Sequence, residues 1–120
     1  MRIVNFVIWT LQITLGALFL FAGGSKLFGA SDMVAFFAEI GYGQWLRYFF
    51  GVLEVSTGLA LFFPRSAFYG AILLSASLVG HIFMHAVVLR RPAGFLVFLL
   101  VATVLVAYFR RPVPGEQPRF

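Results

Sequence analysis

The chain has no cysteine and few acids: its 120 residues include four Asp or Glu, and charged residues of both signs amount to 11%. Without thiols there is no disulfide framework, no thiolate nucleophile and no Cys-ligated zinc or iron–sulfur centre within the chain. Any redox chemistry must therefore come from a bound cofactor or a partner. So little charge also argues against a soluble domain, in which about a quarter of the residues are charged. Nine Lys and Arg leave a net charge of +5. They stand singly or in pairs beside apolar runs instead of covering one face, which is the pattern of membrane flanks and not of nucleic-acid binding. What the chain has in abundance is apolar surface: 62% of residues are hydrophobic and the mean hydropathy is +0.99. One integral membrane domain with several spans follows from this composition.

Four apolar runs, at 3–28, 45–63, 66–89 and 93–109, have span length or nearly so. They predict an all-α fold, a polytopic membrane protein built as a four-transmembrane-helix bundle over 1–111, with a disordered tail at 112–120. The small residues Ala22-Gly23-Gly24 after the first run would also suit a cleaved signal peptide. The full length of that run and its organised stripe favour a span. Gln12, Gly16, Phe19, Gly23 and Lys26 recur at 4-3-4-3 spacing, polar at both ends and small between, as on a face buried against other helices.

Between the first two spans, 31–40 predicts one short interfacial helix capped by Ser31. Met33, Phe36, Phe37 and Ile40 share one face, with Asp32 and Glu39 away from it. Ten residues cannot cross a bilayer, so this helix lies in the interface or folds over the bundle mouth. Gly41-Tyr42-Gly43 turns the chain, and Tyr42, Trp45 and Tyr48 form an aromatic belt. Pro64-Arg65 ends the second span, Arg90-Arg91 the third and Arg110-Arg111-Pro112 the fourth, with Pro92 in the first turn of the last helix. Four spans put both termini on one side. Five basic residues there (Arg2, Arg65, Arg110, Arg111, Arg119) against four opposite (Lys26, Arg47, Arg90, Arg91) predict cytoplasmic termini.

The second span carries a single carboxylate, Glu54, near its middle. At that depth an acid is either paired inside a bundle or used for chemistry. Gly51, Glu54 and Gly58 share a stripe, so the acid projects from a notch. At 1.5 Å per residue Glu54 lies roughly 10 Å in from Arg47, and His81 and His85 roughly 13 Å and 7 Å in from Arg90. Lys26 sits at the same rim. Glu54, Lys26, His81 and His85 thus share one half of the membrane, the face opposite the termini, as candidates for ligand binding or proton relay. Gly16, Gly23, Gly51, Gly58, Gly70 and Ser77 are the small residues on the same stripes, leaving room for a ligand or a closely packed helix. Plainer readings stand beside these: Lys26 and Arg47 snorkelling to headgroups, His85 in the interface, Glu54 as a structural acid. Two imidazoles with one carboxylate make a thin coordination set, so no metal is expected.

Several stretches together resemble the DoxX-like family over about 11–109: LFAGGSKLFG at 20–29, the run 47–64 with its GVLEVSTGLALFFP core, Gly70-Ala71 opening a histidine-bearing helix, and Pro92 before the last one. The resemblance implies a four-helix bundle in the bacterial inner membrane. Members of that family include a subunit of a quinone-linked oxidoreductase, and distant relatives resemble assembly chaperones. Lys26 and Glu54 are the motif positions; His81 and His85 join them by depth and face.

Three functions are open at this stage. The first is a subunit or scaffold of a membrane oxidoreductase system, with a polar intramembrane pocket that takes a quinone-like molecule. The second is a non-enzymatic assembly chaperone holding partner helices on its small-residue stripes, and the third a proton-coupled transporter using Glu54. The expected partners are the lipid bilayer, other membrane or peripheral redox proteins and a second copy of the chain, with no nucleic acid. An accessory subunit fits better than a stand-alone enzyme, because no domain beyond the bundle is recognisable, and no residue is assigned a catalytic role.

Overall fold

The computed structural model describes residues 2–115, and among them every regular element is helical. In chain order these are α1 (Arg2–Phe28), α2 (Ser31–Ile40), α3 (Trp45–Ala60), α4 (Ala67–Phe83), which continues as a π-helical stretch (Met84–Val88), and α5 (Gly94–Arg110). Two stretches, Arg2–Phe28 and Ala67–Val88, are long and apolar enough to cross a membrane; α5 is apolar but has 17 residues, and α3 has 16. Outward-facing side chains are apolar on several helices, with Phe6, Phe21, Val52, Leu73, Phe95 and Phe98 all exposed. A helix that is apolar on its outer as well as its inner face belongs in a larger core or in lipid.

The short helix α2 has the boundaries its periodicity predicts, but its start differs. Ala30 occupies the cap position without a side-chain hydrogen bond, and Ser31 is already helical. The carboxylate of Asp32 accepts the Met33 N–H instead, at 3.0 Å. The second helix stops at Ala60 and not at 63. Its last turn tightens, Phe62 N donating to Leu59 O and Phe63 N to Ala60 O, before Pro64, which cannot continue an α-helix and disfavours helical backbone in the residue before it. Ser66 Oγ also donates to the Ala60 carbonyl, at 2.8 Å. Pro92 lies outside the last helix, whose cap is Ala93. Residues 112–115 are non-helical, and the rest of the predicted tail lies outside the described residues.

The four long helices close a ring in which α1 packs on α3, α3 on α4, α4 on α5 and α5 back on α1, while α2 lies against α3 and α1 at one end. The α1–α3 contact is the most extensive, and glycines make it so. A Cβ on Gly16 would stand 3.0 Å from Gly58 O, and one on Gly58 3.0 Å from Gly16 O. Seven residues along each helix, a Cβ on Gly23 would stand 2.8 Å from Gly51 O and from Val55 N. Two facing glycine pairs therefore bring the backbones together and fix the register. Gly70 likewise lets α4 approach Thr57 and Ala60.

Two apolar clusters fill the ring. One holds Ile8, Leu15, Leu61, Leu74, Leu78 and Val106 among others; the other holds Phe37, Ile40, Phe50 and Met84, beneath α2. Along α3 the boundary falls between Phe50 and Leu61, and along α4 between Leu78 and Met84. Glu54 and His81 occupy that boundary.

Gly23→Val should lower stability in detergent by about 1–3 kcal/mol, because the new side chain meets backbone atoms that cannot yield. Gly24→Ala, whose nearest neighbour is the Phe28 ring edge at 4.0 Å, should leave thermal unfolding nearly unchanged.

Candidate functional site

Three of the four sequence candidates meet. Lys26 Nζ donates to Glu54 Oε1 at 2.9 Å, and His81 Nε2 lies 3.1 Å from Glu54 Oε2. Glu54 is wholly buried, Lys26 and His81 nearly so. The glycine register alone would not join Lys26 to Glu54, since it sets Glu54 level with Leu20. Side-chain direction closes the gap. Helical Cα–Cβ bonds lean toward the helix N-terminus, and α1 and α3 are antiparallel, so the lysine stem leans back into the bundle while Glu54 leans out to meet it.

The imidazole of His81 is placed from both sides. Nδ1 stands 2.9 Å from the Ser77 carbonyl, one turn back on α4, and the ring lies edge-on to Phe50 with centroids 4.6 Å apart. A carbonyl can only accept, so Nδ1 carries a hydrogen. Nε2 then faces a carboxylate oxygen, and two lone pairs cannot oppose each other at 3.1 Å. The acid and the ring are thus close enough to exchange a proton between them. The contact is close but not aligned: Glu54 Oε2 has no formed hydrogen bond, and neither has the buried Ser77 Oγ one turn before His81 on α4. Lys26 and His81 thus meet on one carboxylate, and two buried polar oxygens lack an aligned hydrogen bond.

His85 is the fourth candidate, and it stands apart from Glu54. Its Nδ1 reaches the His81 carbonyl at 3.0 Å, and its ring packs on Phe36 of α2 with centroids 5.0 Å apart. The π-helical stretch accounts for this. Leu89 N bonds Met84 O, an i to i+5 link, so spacing by four no longer keeps His85 on the His81 face. Gly16, Gly23, Gly51, Gly58 and Gly70 all serve contacts within the bundle and do not leave space for a ligand. The cluster is closed, with Phe37 and Phe50 packed beneath α2 on its outer side.

Two features escaped the sequence reading. Arg47, read as a flank, is buried: its Nε donates to Gln44 Oε1 at 2.7 Å, its Nη1 to the Lys26 carbonyl, and the guanidinium lies 4.3 Å from the Tyr48 ring centroid. It holds the carbonyl end of α1, where a cation is favoured by the helix dipole. Arg110, also read as a flank, donates from Nε to Gln12 Oε1 at 2.6 Å, while Gln12 Nε2 donates to Leu61 O at 3.0 Å. Gln12 is fully buried, so this second polar cluster ties α1, α3's end and α5 together in the opposite half. A basic residue at a helix end, alone like Arg47 or beside another like Arg110, gives no sequence signal of turning inward.

A double-mutant cycle with Glu54→Gln and Lys26→Met should show coupling of about 1–3 kcal/mol, each single change leaving its partner buried without its counter-charge. Strict additivity of the two stability losses would mean that the 2.9 Å contact carries no energy.

No curated protein and no solved structure matches the chain. The family model described as the DoxX-like family matches residues 10–109, which includes both halves of the Lys26–Glu54 pair and His81. The chain belongs to the DoxX-like family.

Proposed function

We propose that the protein is a four-span bundle of the bacterial inner membrane, with α1, α3, α4 and α5 as spans and α2 lying in the interface. In this reading it serves as a subunit or scaffold of a membrane oxidoreductase system and binds a quinone-like molecule at Lys26, Glu54 and His81. The observation that carries it is the closed polar cluster itself. A carboxylate is costly inside an apolar bundle and is retained where it is paired or used. A quinone needs a donor for each carbonyl oxygen and a group that exchanges protons as electrons arrive; Lys26 and His81 supply the first and the Glu54–His81 pair the second. The aromatic ring faces of Phe37 and Phe50 supply the apolar wall such a ligand requires. An accessory role agrees with the outer face of α3, where Trp45, Tyr48, Phe49, Val52, Leu53 and Ser56 line a shallow groove suited to a partner span or an acyl chain.

The chaperone reading loses its main support, because the small-residue stripes proposed to hold partner helices are occupied by α1, α3 and α4 themselves.

Span count and orientation are tested with single cysteines in this cysteine-free chain. Arg2→Cys and Tyr42→Cys should be labelled by an impermeant thiol reagent from opposite sides, position 2 from the cytoplasm. Labelling of both from one side would contradict the span arrangement.

Ligand binding is tested with a short-chain ubiquinone and the purified protein in nanodiscs, read by quenching of tryptophan fluorescence. Glu54→Gln and His81→Gln should each weaken binding by ten-fold or more, about 1.4 kcal/mol. Gln12→Leu, in the other half, should leave the affinity of the folded fraction within two-fold. Equal binding by Glu54→Gln would remove the site from this reading.

A further inference from the structure

Helix α2 covers the polar cluster and touches it by two routes. Its joints are glycines in the left-handed region, Gly29 at φ +73°, Gly41 at +88° and Gly43 at +100°, where other residues are strained. The first route runs through Gln44. Its Nε2 donates to the Val34 carbonyl of α2 at 3.0 Å, and its Oε1 accepts from Arg47 Nε at 2.7 Å. Arg47 Nη1 in turn donates to the Lys26 carbonyl, and Lys26 Nζ to Glu54. The second route runs from Phe36 to the ring of His85, whose Nδ1 meets the carbonyl of His81. At its far end α2 is tied down by the ion pair of Glu39 with Arg91.

Both ends of the Gln44 amide are thus committed, one to the cover and one to Arg47. Lifting α2 pulls on Gln44 and leaves Arg47 Nε without its acceptor in a buried position. Such a guanidinium turns to find another partner, because an unpaired buried donor is costly. The Lys26 carbonyl then loses its clamp at the last turn of α1, and the lysine withdraws from Glu54. We propose that Gln44 and Arg47 are positioning residues that make the Lys26–Glu54 contact depend on the seating of α2. Coupling of this kind is reciprocal: a ligand that takes Lys26 from Glu54 loosens α2 by the same factor. The inference rests on the ligand site proposed above and supplies the way into it, since the cluster is otherwise closed.

The test uses the fact that Lys26 is the one lysine of the chain. The full-length protein in detergent micelles is acetylated with a water-soluble N-hydroxysuccinimide ester, and Lys26 modification is followed by peptide mass spectrometry against the α-amino group. Glu39→Arg, which repels Arg91 and leaves α1 untouched, should speed Lys26 acetylation at least five-fold; Phe36→Ala, which loosens α2 by removing its packing on His85 and so acts through the same Gln44 link, should do the same. Gln44→Glu keeps an acceptor for Arg47 but gives up the donor to Val34. In that background Glu39→Arg should loosen α2, seen as faster amide exchange over 31–40, while Lys26 acetylation stays within two-fold of Gln44→Glu alone. Unchanged exchange over α4 and α5 shows that the bundle is intact, and Arg91→Gln replaces any variant that fails this check. Lys26 rates within two-fold of wild type in both Glu39→Arg and Phe36→Ala would overturn the proposal. So would equal acceleration by Glu39→Arg with and without the Gln44 change, because α2 would then act by covering alone. No quinone is added, so failure of the cover and failure of quinone binding are seen separately.

Discussion

A carboxylate without solvent access in the middle of an apolar bundle constrains everything around it. Left unpaired, such a charge costs several kcal/mol, more than most single contacts in a protein return. Glu54 is kept by a lysine at 2.9 Å and an imidazole at 3.1 Å, and each of these needs a helix in the right place. Lys26 reaches it because α1 and α3 touch backbone to backbone at Gly16–Gly58 and Gly23–Gly51. His81 reaches it because Gly70 lets α4 close on the end of α3. The glycines and the ionic cluster are one device: the first set the distances on which the second depends. A side chain added at the first would be felt as a loss of pairing at the second.

The fold was legible wherever apolar periodicity and breakers agree. α2 was readable because Met33, Phe36, Phe37 and Ile40 repeat at helical spacing between two glycine turns. Boundaries set by local chemistry were less so. Ser31 and Pro92 are good residues for a helix start in general, but here the chain enters α2 and α5 one or two residues elsewhere. The Lys26–Glu54 pairing was legible because stripe and depth are both functions of residue number alone. His81 joined by the same arithmetic. His85 did not, since that arithmetic assumes a uniform α-helix and the chain becomes π-helical at Met84.

Partner choice is the part that sequence carries least. A stripe of small residues says that something approaches closely, without saying whether the visitor is a neighbouring chain or the next helix. Likewise a basic residue at a helix end can meet headgroups or turn inward, and the two cases look alike in one dimension. Arg47 and Arg110 both turn inward, one to the Lys26 carbonyl and the other to Gln12. Arg111, next to Arg110, and Arg91, after the third span, stay exposed.

The two buried polar clusters differ in how their side chains are engaged. In the Gln12 cluster the side-chain amide is spent at both ends, its oxygen on Arg110 and its nitrogen on the Leu61 carbonyl. Such an arrangement fastens three segments. Around Glu54, one carboxylate oxygen faces an imidazole at 3.1 Å without an aligned bond, and among the described residues the Ser77 hydroxyl has no hydrogen-bond partner. Buried polar groups with unused valence carry a cost, which a bound carbonyl or hydroxyl would relieve. In the proposed reading a ligand meets the cluster beneath α2, whereas the Gln12 amide, committed at both ends, acts as a clamp.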